Sequence, residues 1–78
     1  MDLDNLIVMA NQIGDFFGSL PDHEEALNSI ADHIRKFWAP RMRAGLLRAL
    51  DTPESAALSP IALEALTLYR ERLEPANA

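Results

Sequence analysis

Leu3, Leu6, Ile7, Ala10, Ile13, Gly14 and Phe17 recur at the three-and-four spacing of an α-helix, and Leu27, Ile30, Ala31, Ile34, Phe37 and Trp38 repeat the same template. Prolines and caps cut this periodicity into pieces. "GSLPD" breaks it at Gly18 to Asp22, and Pro40 disfavours helix at Ala39 while suiting the first turn of a new one. Ser59 and Pro60 form another cap and first-turn pair. No period-two strand pattern and no internal repeat occurs. The expectation is an all-α fold, a small bundle of three to four short helices in one domain spanning residues 1–78. The predicted helices run about 3–17, 22–38, 41–50 and 60–73, with a linker at 51–59.

Local signals support these bounds. Asp2 or Asp4 caps the first helix, and Asp22 with Glu25 three residues later resembles a capping box. In the second helix Glu24 and Glu25 lead while Arg35 and Lys36 trail, as the helix dipole favours. Met42, Leu46, Leu47 and Leu50 are the apolar residues of the third helix. Ile61, Ala65, Leu66, Leu68, Tyr69 and Leu73 are those of the fourth. Gly14 interrupts the first stripe at a cost in helix stability that a close helix–helix approach would explain. The terminal "EPANA" is expected to fray.

Composition narrows the function. With 49% apolar residues the chain is too hydrophobic for a disordered segment, yet no run of about 18 apolar residues is present to span a membrane. "MDLDNLIVMA" opens on acids and lacks the positive region of a signal peptide, which points to the cytoplasm. The chain has no cysteine, so thiolate metal ligands, cysteine nucleophiles and disulfides are excluded. His23, on the apolar side of the first turn of the second helix, and His33, at the edge of its stripe, match no metal spacing. The carboxylates scatter over predicted solvent faces, the serines lie in no nucleophile motif, and the glycines form no phosphate loop. An enzyme acting alone is not expected.

One segment stands apart. "FWAPRMR", Phe37 to Arg43, holds the only tryptophan beside two arginines. Arg35, Lys36, Arg41, Arg43 and Arg48 are five of the seven basic residues, with no acid between Arg35 and Arg48. A net charge of -5 argues against a nucleic-acid patch. Tryptophan and arginine concentrate at the energetic centres of protein interfaces, and arginine pairs bidentately with carboxylates. Phe37 and Trp38 continue the second stripe, so at least one of them is expected in the core. Val8, Met9 and Phe16 add apolar surface beyond the main stripe of the first helix. The candidate partner-binding set is therefore Val8, Met9, Phe16, Phe37, Trp38, Arg41, Met42 and Arg43; catalytic, cofactor and metal residues are none.

"MANQIGDFF" at Met9 to Phe17, "IADHIRKFWAPRMR" at Ile30 to Arg43 and "LSPIALEAL" at Leu58 to Leu66 resemble, in order and spacing, the delta subunit of NAD-dependent, molybdenum-containing formate dehydrogenase. The resemblance implies a soluble bacterial complex that oxidises formate to carbon dioxide and reduces NAD. In it an alpha subunit carries molybdopterin guanine dinucleotide and iron-sulfur clusters, beta carries FMN and further clusters, and gamma carries a cluster. Delta is implied to be a small accessory subunit without cofactors. It would support assembly or stability of the alpha subunit, or loading of its molybdenum cofactor. The expected partner is the alpha subunit, with beta and gamma in the same complex, and neither nucleic acid nor membrane. Two alternatives remain open at this point: a transient assembly chaperone for the molybdenum subunit, and a small nucleic-acid-binding regulator using Arg35 to Arg48.

Overall fold

The computed structural model describes residues 2–75, so the end of the "EPANA" tail lies outside the described residues. Helix α1 spans Leu3–Phe17, α2 His23–Phe37 and α3 Pro40–Ala49. A 3-10 helix at Pro53–Ala57 leads to α4, Pro60–Leu68, and α5, Arg70–Leu73. Among the described residues there is no strand. The chain is an all-α bundle.

Each boundary has a chemical cause. Asp2 and Asp22 sit in extended backbone, and each accepts a hydrogen bond from the backbone N–H two residues on, at 3.1 Å. Pro40 and Pro60 each open a helix at a position where a missing N–H costs nothing. Ser59 caps α4 through its hydroxyl, which accepts from the Ala62 N–H. The linker holds a helical turn, the 3-10 helix at Pro53–Ala57. Thr52 accepts from the Glu54 N–H and donates to the Ala49 carbonyl, and so joins the end of α3 to the 3-10 helix.

The core is one cluster. It joins Leu6, Ile7 and Ala10 of α1 to Leu27, Ile30, Ala31 and Ile34 of α2, Leu46 and Leu47 of α3, and Ala62, Ala65 and Leu66 of α4. Helix α1 packs on α2, α3 and α4, and α2 lies across α4 and α5. Helices α1 and α4 approach closely at Gly14. A Cβ placed on Gly14 would lie 3.1 Å from Ile61 Cγ2 and 3.5 Å from Ala62 Cβ. Beside it the amide of Asn11 donates to the Ala57 carbonyl (3.0 Å) while its oxygen accepts from the Ser59 N–H (2.8 Å). A single side chain of α1 thus satisfies the backbone on both sides of the turn into α4.

Two expectations are corrected. The predicted fourth helix, 60–73, is divided at Tyr69, whose backbone (φ -107°, ψ 24°) leaves the helical region. The bend brings Leu73 into the core. Tethers hold α5 in place: Arg70 forms a bidentate pair with Asp51 (3.1 and 2.7 Å), and Arg72 donates to Asn28 (2.8 Å) while lying over the Tyr69 ring. Leu68, expected on the apolar side, is exposed. It lies two positions on from buried Leu66, about 200° around the helix.

The Arg70 hydrogen bonds and charge hold the Asp51 carboxyl below the usual carboxylate range. A depressed folded pKa means a contribution that is full above the unfolded value, about 3.9, and fades as pH falls through the folded one. Acid titration below about pH 4 should therefore loosen α5 in the natural chain, whereas Asp51→Asn should abolish that pH-dependent step. Backbone amide exchange at Leu73 reads the difference. At the α1–α4 contact, Gly14→Leu should lower unfolding free energy by about 1–3 kcal/mol through overpacking, measured by thermal or urea denaturation.

Candidate functional site

The "FWAPRMR" corner is built by the end of α2 and the start of α3. Phe37 is the last residue of α2, and Trp38 leaves the helix in extended backbone with its N–H still bonded to the Ile34 carbonyl (3.0 Å). That departure separates the two aromatics. Trp38 turns into the core at 5% exposure, whereas Phe37 projects outward at 72%. At least one of the two was expected in the core, and Trp38 is the one buried there.

Pro40 then fixes the first turn of α3, which separates the two arginines in the same way. Residues two apart on a helix point about 200° apart. Arg41 is exposed, and Arg43 is the buried charged residue of the fold at 6% exposure. Arg43 Nη1 donates to the Arg35 carbonyl (3.2 Å), one of the acceptors that the end of α2 leaves without a helical partner. Its Nε is buried with no partner. In this structure Arg43 does not reach outward as expected; it ties α3 to the end of α2. Met42, also in the candidate set, is half-buried against the core.

Two open clefts flank this corner. The first, about 340 Å³, is lined by Met9, Gln12, Ile13, Phe16, Phe17, His33 and Trp38. Along it runs a row of rings. Phe16 meets Phe17 edge-on at 5.0 Å, Phe17 meets His33 at 5.9 Å, and His33 meets Phe37 at 4.8 Å. Phe16, like Phe37, is 72% exposed. The fold thus brings Met9, Phe16 and Trp38 to line one groove, with Phe37 beside it against His33, while Val8 is exposed but lines neither cleft. The second cleft, about 490 Å³, lies between α1 and α3 and is bordered by Arg41 and Arg48.

Sequence reasoning missed His33 and Phe17 as members of the row. His33 precedes Phe37 by four residues on α2, which the sequence shows, but the contact of Phe17 with His33 across helices exists only once α1 and α2 are packed. The signal available beforehand was His33 at the edge of its stripe. His23, expected on the apolar side, is exposed and paired with Glu64 at 2.9 Å.

No thiol is present to ligate a cluster, and among the described residues no group of three or more His, Asp or Glu side chains is arranged to hold a metal ion. No helix among the described residues is long and apolar enough to cross a membrane.

The chain is thus a small helical bundle whose distinctive chemistry lies on open surface beside one corner. It belongs to the family of the NADH-dependent formate dehydrogenase delta subunit, FdsD, which it matches over residues 5–66. Both the α1–α4 contact and the corner fall inside that span. Neither a curated protein nor a solved structure matches the chain.

The separated roles of the corner residues make a test. Trp38→Ala should destabilise the isolated chain by roughly 3–5 kcal/mol. Arg43→Ala should cost about 1.5–3 kcal/mol, the range for a hydrogen bond to a charged group. Arg41→Ala should stay within about 0.5 kcal/mol of the natural chain. Urea denaturation of the three variants gives the ranking.

Proposed function

We propose that the chain is a noncatalytic accessory subunit of a cytoplasmic NAD-dependent formate dehydrogenase, supporting assembly or stability of the molybdenum-containing alpha subunit. On this reading it carries no cofactor. Molybdopterin guanine dinucleotide, iron-sulfur clusters and FMN belong to the alpha, beta and gamma subunits it joins. The observation that carries the reading, beside the family, is the exposed aromatic row of Phe16, Phe17, His33 and Phe37 over its groove. The core of the bundle is closed without Phe16 and Phe37, yet both rings stand in water next to one another's neighbours. Exposed apolar surface gathered into one groove is the mark of a docking face, whereas scattered apolar residues are ordinary. Aromatic anchors in such grooves carry much of the energy of protein interfaces.

Phe16→Ser and Phe37→Ser alter side chains that the isolated fold scarcely uses, so helical content and unfolding temperature should change little. Retention of the chain during purification of the complex should fall sharply, by about 2 kcal/mol or more in binding for an anchor residue. Native mass measurement of the complex purified through this chain reads partner identity and stoichiometry together. A fixed proportion in the mature enzyme supports a subunit; presence only in immature alpha subunit supports a transient chaperone instead. The purified single chain should not reduce NAD with formate, and turnover by the chain alone would refute the noncatalytic reading.

A further inference from the structure

The second cleft shows a different chemistry. Arg41 and Arg48 are seven residues apart on α3, two turns along one face, with Gly45 between them and no side chain there to fill the space. Leu3 and Leu6 of α1 and Ala49 of α3 supply apolar wall. Both arginines are exposed, and among the described residues neither has a carboxylate within 4.0 Å. Of the other cations, Lys36 is engaged with Asp32, Arg70 with Asp51, Arg72 with Asn28 and Arg43 with the Arg35 carbonyl, while Arg35, also without a carboxylate within 4.0 Å among the described residues, does not line the cleft. A chain of net charge -5 has carboxylates to spare, yet its fold leaves these two guanidinium groups uncompensated on either side of an apolar cleft.

We infer that the Arg41–Arg48 cleft is a second docking site, which takes an acidic, partly apolar segment of a partner subunit. This rests on the reading of the chain as a subunit and adds the chemistry of what it grips. Two turns of helix separate the arginines by about 10 Å. The matching ligand carries two carboxylates at that spacing on one face, as residues i and i+7 of a helix provide, with an apolar side chain between them. Charge selects protein over nucleic acid here. Glu54 lines the cleft and the chain carries a net charge of -5, so a continuous phosphate backbone would meet acids around the arginines. A segment with discrete carboxylates avoids them. Arginine suits the task because its fork pairs bidentately with a carboxylate while its stem lies along apolar surface.

The test uses the full-length chain and the complete set of dehydrogenase subunits. Natural chain should co-purify with the complex, and Arg41→Glu with Arg48→Glu should bind about tenfold or more weakly, with helical content unchanged. Gly45→Leu, which fills the cleft from the helix itself, should weaken binding without altering charge. Arg41→Lys with Arg48→Lys places amines in the cleft for carbodiimide coupling, and peptide mapping should find them joined to an Asp- or Glu-containing segment of a partner. If the natural chain binds no dehydrogenase subunit, the proposed function fails and this inference fails with it. If the natural chain binds and both the double glutamate variant and Gly45→Leu bind equally well, this inference alone is overturned. Coupling only to the chain's own Glu54, or no coupling, overturns it as well.

Discussion

Helices α1 and α4 meet through residues with almost no side chain, and the rest of the bundle is set by that contact. Ala10, Ala62 and Ala65 are fully buried, and Gly14 stands where even a methyl group would press on Ile61. Small residues let two backbones approach closely, and the two-sided Asn11 bridge fixes the turn that delivers α4 to that position. With α1 and α4 held together, the larger side chains of α2 have one seam to fill, and Ile30 and Ile34 are buried in it. The groove follows from the same placement. Ile13 and Phe17 lie on the flank of α1 that α4 does not cover completely, so their outer surfaces remain to form the wall opposite His33.

Pro40 organises the other end of the molecule. It ends one helical register and begins another, and adjacent residues acquire opposite roles: Phe37 out and Trp38 in, Arg41 out and Arg43 in. The inward arginine has a structural cost, because its Nε is buried without a partner. What it provides is a donor for the end of α2 and a stem packed inside the corner. The corner therefore stands as a rigid divider, with Trp38 lining the aromatic groove on one side and Arg41 lining the arginine cleft on the other.

The all-α fold was legible in the sequence because helical periodicity, caps and prolines agree with one another. The separated roles of Arg41 and Arg43 were legible only as a difference in direction; which of them turned inward depended on where α2 lay. Phe37 shows the limit of the stripe argument. It sits at the correct spacing, but a stripe predicts burial only where a neighbouring helix covers it, and nothing covers the last turn of α2 at that point. Leu68 was misread for a different reason: it lies about 200° around the helix from Leu66 and so off the buried stripe. The break at Tyr69 had no proline or glycine to announce it and is held by tertiary contacts, Asp51 with Arg70 and Asn28 with Arg72, that pair residues far apart in the chain. Asn11 read as an ordinary polar residue because its partners are backbone groups brought near only by folding.

The two clefts divide labour in physical terms. An aromatic groove gains from burying area and tolerates variation in its occupant, so by itself it gives affinity with loose orientation. A pair of arginines at fixed spacing is demanding in direction and sensitive to salt, so by itself it gives register with modest affinity. On the proposed reading, a partner that fills both clefts would present a surface that bends around Pro40. A partner held by both cannot rotate about either. For a chain this small, whose own core is limited, the stability of the docked state then depends on the partner as much as on the bundle itself.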